Sequence, residues 1–206
     1  MMDQITDKYK TIAAPSEGIY KEKGSKFITY AYPVYSEEDI KEHVSALKDK
    51  YYDARHHCFA WQLGVDGNRY RANDDGEPSG TAGKPIHGQI KSHELTNILV
   101  VVVRYFGGTK LGVPGLIHAY KEATIDAINN AEIVEKTVND IYQVNFDYLV
   151  MNDIMKIVKD EDLQLVDQQF DLSCTIEFSL RQSQVERVVA RMEKIDSAKC
   201  EYLRTV

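Results

Sequence analysis

The run from Ile98 to Val103 constrains the fold more than any other feature of the chain. It holds an isoleucine, a leucine and four valines in succession. β-branched residues favour strands, and a strand that is apolar on both faces is typical of the centre of a sheet. We therefore predict a central strand over residues 96–105. The run is far too short to span a bilayer, so no membrane-embedded segment is expected.

The residues before this strand predict a hairpin and a helix. Two extended stretches within residues 17–35, broken at Lys23-Gly24-Ser25, are typical of a hairpin. Ser36-Glu-Glu-Asp39 has the form of a capping box, with Asp in place of Glu, and apolar residues follow it at helical spacing. The chain is therefore predicted to alternate strands and helices around the central strand.

Two more helices are predicted, one before and one after the central strand in the sequence. The first covers residues 81–92, and the second runs from Pro114, a residue favoured in the first turn of a helix, to about residue 131. With a second hairpin before them, the predicted order over residues 1–138 is ββαββαβα. This order indicates the α+β class.

The second hairpin carries the most specific structural prediction. Asp66-Gly67 is a two-residue turn signal, so Val65 is expected to lie opposite Asn68. That register places two sets of side chains on opposite faces of the hairpin. The predicted buried face holds Phe59, Trp61, Leu63, Tyr70 and Ala72. The predicted polar face holds His56, Cys58, Gln62, Arg71, Asn73 and Asp75.

Residues 139–206 predict a second domain. Their six elements follow the order βαββαβ, which is the ferredoxin-like split motif. Its third strand is expected to begin at Leu172. Its last helix is expected at Ser183-Gln-Val-Glu186, which has the form of a capping box.

Charge and cysteine content narrow the function classes. The net charge of −7 and the pI of about 5.4 argue against broad, charge-driven coating of nucleic acid or membranes, although a local basic site is compatible with them. Three cysteines without CxxC spacing suit a reducing cytoplasm. The first residues lack the apolar core of a secretory signal, which also favours a cytoplasmic location.

Between Arg55 and Tyr120 the chain concentrates five of its six histidines together with glycine-rich turns that carry charge. Such turns can aim backbone amides and charges at a ligand. This segment therefore supplies the candidate ligand-binding or nucleic-acid-binding residues. They are Arg55, His56, His57, Arg71, Asp74, Asp75, Glu77, Ser79, Thr81, Lys84, Arg104, Tyr105, Gly107, Gly108 and Lys110.

Each cluster also has a structural interpretation. His56 and Cys58 share a strand face and could join Asp75 and His87 around zinc, but the spacing does not require it, and no metal or cofactor is predicted. The three acids near Glu77 suit acid–base or magnesium chemistry, yet they equally suit a turn whose acids pair with Arg71, Arg104 or Lys84. The glycines of residues 108–115 suit either an anion cradle or a strand-to-helix connection.

Five ordered motifs resemble the YigZ/IMPACT family, and the resemblance spans almost the whole chain. The motifs are Arg55-His-His-Cys58, Asp74-Asp-Gly-Glu-Pro-Ser-Gly-Thr-Ala-Gly83, Val101-Val-Val-Arg-Tyr-Phe-Gly-Gly108, Lys110-Leu-Gly112, and Gly115-Leu116 with Ala119-Tyr120. The resemblance implies a ribosomal-protein domain-2-like first domain, with a sheet covered on one side by helices. It implies a second domain similar to one of elongation factor G.

The same resemblance implies a role in translation. Eukaryotic IMPACT proteins regulate translation by interfering with activation of an initiation-factor kinase, and bacterial relatives are described as nucleic-acid or translation-associated proteins. This chain departs from the family pattern at Val113-Pro114-Gly115-Leu116, where Thr-Gly-Gly-Leu is usual, and at His118, where Arg is expected. Because proline removes a backbone N–H, the departure weakens a phosphate-binding interpretation.

We therefore expect a non-catalytic, translation-associated binding protein that contacts RNA, the ribosome or a translation factor. Its first domain would use Arg71, Arg104, Lys110, His56 and the glycine-rich turns. The competing hypothesis is a phosphoryl-transfer or metal-assisted hydrolytic enzyme built on Asp74, Asp75, Glu77, His56 and Lys110. A pure protein-interaction module is the third possibility. The residues do not specify an oligomeric state.

Overall fold

The structure, a computed structural model, describes residues 7–170 and 173–206 and divides them into two compact units. The first unit is Tyr9–Lys136, and the second combines Asp7 and Lys8 with Thr137–Val206. The sequence predicts a division after residue 138, whereas the chain passes from the first unit to the second between Lys136 and Thr137. Helices and antiparallel sheets occur in both units, which confirms the mixed α and β class.

The first unit is built on a five-stranded antiparallel sheet. Its strands are β2 (Ser16–Glu22), β3 (Ser25–Pro33), β4 (His56–Leu63), β5 (Arg69–Asn73) and β6 (Ile98–Tyr105). They lie in the order β2-β3-β6-β4-β5. β6 lies at the centre, as its apolar run predicts. Two short strands that the sequence analysis missed, β1 (Lys8–Ile12) and β7 (Ile133–Thr137), form a separate two-stranded sheet.

Helices cover both faces of this sheet. They are α1 (Glu37–Lys50), α2 (Gly83–Ser92) and α3 (Gly112–Asn129). Ile98, Val100 and Val102 belong to one core cluster with α2 and α3, whereas the alternate residues of β6 belong to a second cluster with α1. The expectation of a sheet covered on one side is therefore wrong, because a strand that is apolar on both faces needs apolar cover on both.

The register of the β4–β5 hairpin differs from the prediction by one residue. Trp61 lies opposite Arg71, where the prediction placed Ala72. The cause is a longer loop, in which Gly64 and Gly67 both adopt positive φ and the Gly67 N–H donates to the Gly64 carbonyl. Since a slip of one residue reverses the faces of a strand, Arg71 shares a face with Trp61.

The predicted polar face of β4 is consequently wrong as well. Cys58 and Ala60 lie on that face and are fully buried against α2 and α3. On the opposite face, Trp61 and Leu63 are buried against α1. β4 is thus buried on both sides next to the central strand.

The second unit has the predicted order βαββαβ. Its elements are β8 (Asn139–Asp147), α4 (Met151–Asp160), β9 (Gln164–Phe170), β10 (Ser173–Arg181), α5 (Val185–Met192) and β11 (Lys199–Thr205). They form a four-stranded sheet in the order β11-β8-β10-β9, with Val144, Ile154 and Phe178 in its core. Leu172, the predicted start of β10, lies outside the described residues.

The two predicted capping boxes have different outcomes. Ser36 Oγ accepts a hydrogen bond from the Asp39 N–H, and the Asp39 carboxylate accepts from the Ser36 N–H, so this box is confirmed. The box at Ser183 is wrong. Its hydroxyl donates instead to the Asp7 carboxylate, and α5 begins at Val185 without a side-chain cap.

The longest helix of the described residues, α3, has 18 residues and buries one side against the sheet of the first unit. Its buried stripe includes Leu116, Tyr120, Ala123 and Ala127, as its spacing predicts. Among the described residues, none of the helices combines the length and apolar character that crossing a membrane requires.

Candidate functional site

A buried ion pair anchors the candidate site. Arg104, near the end of β6, places one guanidinium nitrogen 2.5 Å from Glu77 Oε1, and the two side chains are 7% and 4% exposed. The Tyr120 hydroxyl donates to the same oxygen at 2.9 Å. Because a buried charge needs a partner, the sequence left Asp74, Asp75, Glu77 or a ligand as the partner of Arg104, and the structure assigns Glu77.

Asp74 holds the loop that carries Glu77. Its carboxylate accepts hydrogen bonds from the backbone N–H groups of Gly80 (2.8 Å), Ala82 (3.0 Å) and Gly83 (2.8 Å), at the start of α2. Burial alone would raise the pKa of Asp74, but the three N–H donors outweigh it and lower the pKa below its ordinary value. Asp74 therefore acts as a brace for this turn.

Asp75 connects both histidines of the Arg55–Cys58 motif. It adopts a positive φ of 41°. Its carboxylate accepts from the His57 N–H at 2.7 Å and lies 3.4 Å from Lys48 Nζ, while its carbonyl oxygen is 2.9 Å from His56 Nδ1. With Asp74 and Glu77, all three acids of the motif are engaged by groups of the chain itself.

The proposed zinc ligands are not assembled. The Cys58 thiol donates to the Asp74 carbonyl (3.0 Å) and to the Tyr120 hydroxyl (3.2 Å), and burial raises its pKa. His87 contacts Gln62 at 3.1 Å, away from that cluster. Within residues 7–170 and 173–206, no three His, Cys, Asp or Glu side chains are grouped so that they could hold a metal ion.

His57 is buried on the α1 side of the sheet, opposite to the side of His56. Burial lowers its pKa below 6.5, although the Asp75 carboxylate opposes this effect. Its Nε2 is buried and has no hydrogen-bond partner among the described residues. A neutral ring in this place is a packing element more than a ligand contact.

A cleft of about 430 Å³ opens beside the Arg104–Glu77 pair, and we call it the cationic cleft. It is lined by Asp53, Arg55, His56, Arg104, Tyr105, Phe106 and Lys110. Arg55 and Lys110 are exposed, and Phe106 is 58% exposed despite its size. The Tyr105 hydroxyl donates to Asp53 at 2.7 Å, which raises the pKa of Tyr105 to about 12.

A second cleft of about 340 Å³, the apolar cleft, adjoins the first. The two share Arg104, Phe106 and Lys110. The other lining residues of the apolar cleft are Glu77, Pro78, Leu111, Gly112, Val113 and Leu116. Phe106 therefore lies between a charged cleft and an apolar one.

Among the glycines between Arg104 and Gly112, Gly107 serves close backbone packing. A Cβ on Gly107 would lie 1.8 Å from the carbonyl carbon of Gly24, and the Gly107 N–H donates to Ser25 Oγ at 3.2 Å. Gly108 has a φ of 88° and open space around it. α3 begins at Gly112 without a side-chain cap, and Pro114 removes one N–H from its first turn. Anion binding at this turn stays a prediction.

The structure brings together only part of the predicted site. Arg104, His56, Tyr105, Arg55 and Lys110 line the cationic cleft. Arg71 does not, because it faces α1 beside Trp61. Ser79 and Lys84 are exposed and line neither cleft, and Thr81 is buried with its hydroxyl bonded to the Pro78 carbonyl.

Three contributors were missed. Tyr120 and Ser25 contact the Glu77–Arg104 pair, and Lys26 lies opposite Tyr105 on the neighbouring strand. Tyr120 occupies the apolar stripe of α3, where the pattern indicates core. The signal that could have identified it is its hydroxyl, since a buried tyrosine usually needs a hydrogen-bond partner.

The comparisons with known proteins agree with one family. The family model "Impact N-terminal domain" matches residues 23–128. The chain is 33% identical to the IMPACT family member YvyE of Bacillus subtilis over 82% of this chain and 77% of the relative. It is 31% identical to the IMPACT family member YigZ of Escherichia coli over 87% and 89%. A crystal structure of a hypothetical protein is similar with a TM-score of 0.72 at 28% identity, covering 97% of this chain and 99% of the other.

Proposed function

The chain belongs to the IMPACT family, and we propose that it is a translation-associated regulatory protein that binds RNA, free or within the ribosome, through the cationic cleft. Family membership supports the association with translation, because eukaryotic members regulate translation. The cleft supports RNA as the partner. It places exposed cations around an exposed aromatic ring, the combination that single-stranded nucleic acid requires.

The arrangement of charge in the cleft is the observation that carries this proposal. Arg55 and Lys110 are exposed at the cleft, and Lys26 is exposed on the strand beside it. Arg104 is already neutralised by Glu77, so the exposed cations are the groups available to phosphates. A local group of cations on a chain with a net charge of −7 fits a confined phosphate-binding surface better than general adhesion to polyanions.

The test is binding of a fluorescent single-stranded RNA followed by anisotropy over a range of salt concentrations. Lys110→Ala should weaken binding and lower the slope of log affinity against log salt by about 1, since one phosphate contact is lost. Lys41→Ala is the matched control, because Lys41 is an exposed lysine on α1, away from the cleft. Its slope should equal that of the wild type.

Absence of RNA and ribosome binding at low salt would refute the proposal. A protein partner that stays bound after nuclease treatment, together with no direct RNA binding, would replace RNA by that protein. The enzymatic hypothesis has no specific observation in its favour. Asp74, Asp75 and Glu77 would be its acids and bases, and each is engaged by donors of the chain.

A further inference from the structure

We infer that the apolar cleft receives one nucleobase of the bound RNA, with Phe106 as the stacking surface and Glu77 as a hydrogen-bond acceptor for the base. This inference rests on the proposed function and specifies the ligand of the same site. The RNA must be single-stranded at this point, because a base within a duplex is not available to enter a cleft.

The two clefts adjoin and share three lining residues. Because Arg104, Phe106 and Lys110 line both clefts, a ligand that fills both must join an anionic part to an apolar or planar part. A nucleotide has this composition, with its phosphate among the exposed cations and its base in the apolar cleft. The apolar cleft, at about 340 Å³, lies within the range of about 300–1,000 Å³ of small-ligand sites.

Phe106 provides a surface on which a base can stack. The residue is 58% exposed, although a phenylalanine usually buries most of its surface. The Arg104 guanidinium lies 5.9 Å from the centre of the Phe106 ring and 5.5 Å from the centre of the buried Phe27 ring. A buried cation therefore lies beside the Phe106 ring, between the two clefts. An exposed ring beside cations is the usual platform on which a base stacks.

The apolar cleft also contains polar groups that can hydrogen-bond to a base. Among residues 7–170 and 173–206, the Glu77 carboxylate accepts from Arg104 and Tyr120, in both cases through Oε1, so we assign Oε2 as the acceptor for a ligand. Arg104 also lines this cleft, where its guanidinium is paired with Glu77. Cytosine can donate to Glu77 from its exocyclic amino group, and uracil can donate from its ring N3–H. The cleft therefore suits a base that presents a hydrogen-bond donor on its Watson–Crick edge, which both pyrimidines do.

The test uses an oligonucleotide of about eight positions, within the site sizes of single-stranded binding proteins, made of stable tetrahydrofuran abasic sites. We compare three versions of this oligonucleotide: the first carries no base, the second a single cytosine and the third a single uracil. Charge and length are the same in all three, and the single base fixes which position of the strand lies at the cleft. For the wild-type protein we expect the cytosine and uracil versions each to bind about tenfold more tightly than the baseless one.

Two variants make the test specific. Phe106→Ala should remove the advantage of the base, so that the versions with and without a base bind with equal affinity. Since Phe106 is exposed, this variant is expected to fold. Tyr148→Ala, which removes an exposed aromatic ring of the second unit, should retain the advantage.

Equal affinity of the wild-type protein for all three oligonucleotides would overturn this inference and leave the proposed function standing. An advantage of the base that persists in Phe106→Ala would overturn it too. Failure of the protein to bind natural single-stranded RNA at low salt would refute the proposed function, and this inference with it.

Discussion

Arg104 and Glu77 form an ion pair that is almost entirely enclosed, with exposed fractions of only 7% and 4%. Such a pair is sensitive to the loss of either partner, because the remaining charge is left in a poorly solvated place. Arg104 lines both clefts of the candidate site, and Glu77 lines the apolar one. Stability and ligand binding are therefore coupled at these two residues.

We expect Glu77→Ala to lower the free energy of unfolding by about 3–5 kcal/mol, since it leaves Arg104 buried and unpaired. The matched control is Arg69→Ala, which breaks a pair with Glu37 whose side chains are 62% and 50% exposed. That change should cost about 0–1 kcal/mol. Urea unfolding of both variants measures the difference, and similar losses would contradict the assigned role of the buried pair.

Asp74→Ala should lower the free energy of unfolding by about 1–3 kcal/mol at neutral pH, because three backbone N–H groups lose their acceptor. The folded protein lowers the pKa of Asp74 from its ordinary 3.8. The stabilisation is therefore complete above that value and is lost as the pH falls below it. Unfolding curves at several pH values should show the variant and the wild type converging in acid. A constant gap would be inconsistent with this account.

His57 should make the protein less stable in mild acid. Burial lowers its pKa from 6.5, so at pH values just below 6.5 the unfolded chain binds more protons than the folded one. Stability should fall as the pH decreases through this range. His57→Phe should remove part of the fall, and His87, whose pKa burial also lowers, should account for another part. An unchanged pH dependence in His57→Phe would refute this assignment.

Gly107→Ala and Gly88→Ala should have opposite effects on stability. A Cβ on Gly107 would overlap the backbone of the β2–β3 turn, 2.1 Å from Ser25 N, so a loss of at least about 1–3 kcal/mol is expected. Gly88 lies within α2 with no atom within 4 Å of the added Cβ. Alanine there should add about 0.5–1 kcal/mol. Thermal unfolding of both variants measures the difference. An unchanged stability of Gly107→Ala would contradict this expectation, because it would show that the β2–β3 turn can move to accommodate the added Cβ.

The periodicity of apolar residues identified the helices and strands that have strong patterns. It failed where the length of a loop sets the strand register, or where a residue far away in the sequence supplies a hydrogen-bond partner. The central strand was predictable because Ile98–Val103 is apolar on both faces. The β1 and β7 strands were not, because five residues of mixed polarity carry little signal. The Ser183 box failed because Asp7, far away in sequence, takes the serine hydroxyl.

For the candidate site, glycine positions and charge predicted the segment, but not which side chains meet. The Asp66-Gly67 signal placed a turn correctly, yet the loop also uses Gly64, and one residue of difference moved Arg71 to the α1 face. The partner of Arg104 was one of three acids in the sequence. Asp74 is held by three backbone N–H groups and Asp75 by the His57 N–H and Lys48, so Glu77 is the acid that pairs with Arg104.

Cys58 gives the first unit a built-in chemical reporter. Its thiol is fully buried beneath α2 and α3, and its raised pKa keeps it protonated at neutral pH, whereas the thiolate is the reactive form. An alkylating reagent can modify it only when the helices separate from the sheet. The rate of that modification therefore measures how often the core next to the clefts opens.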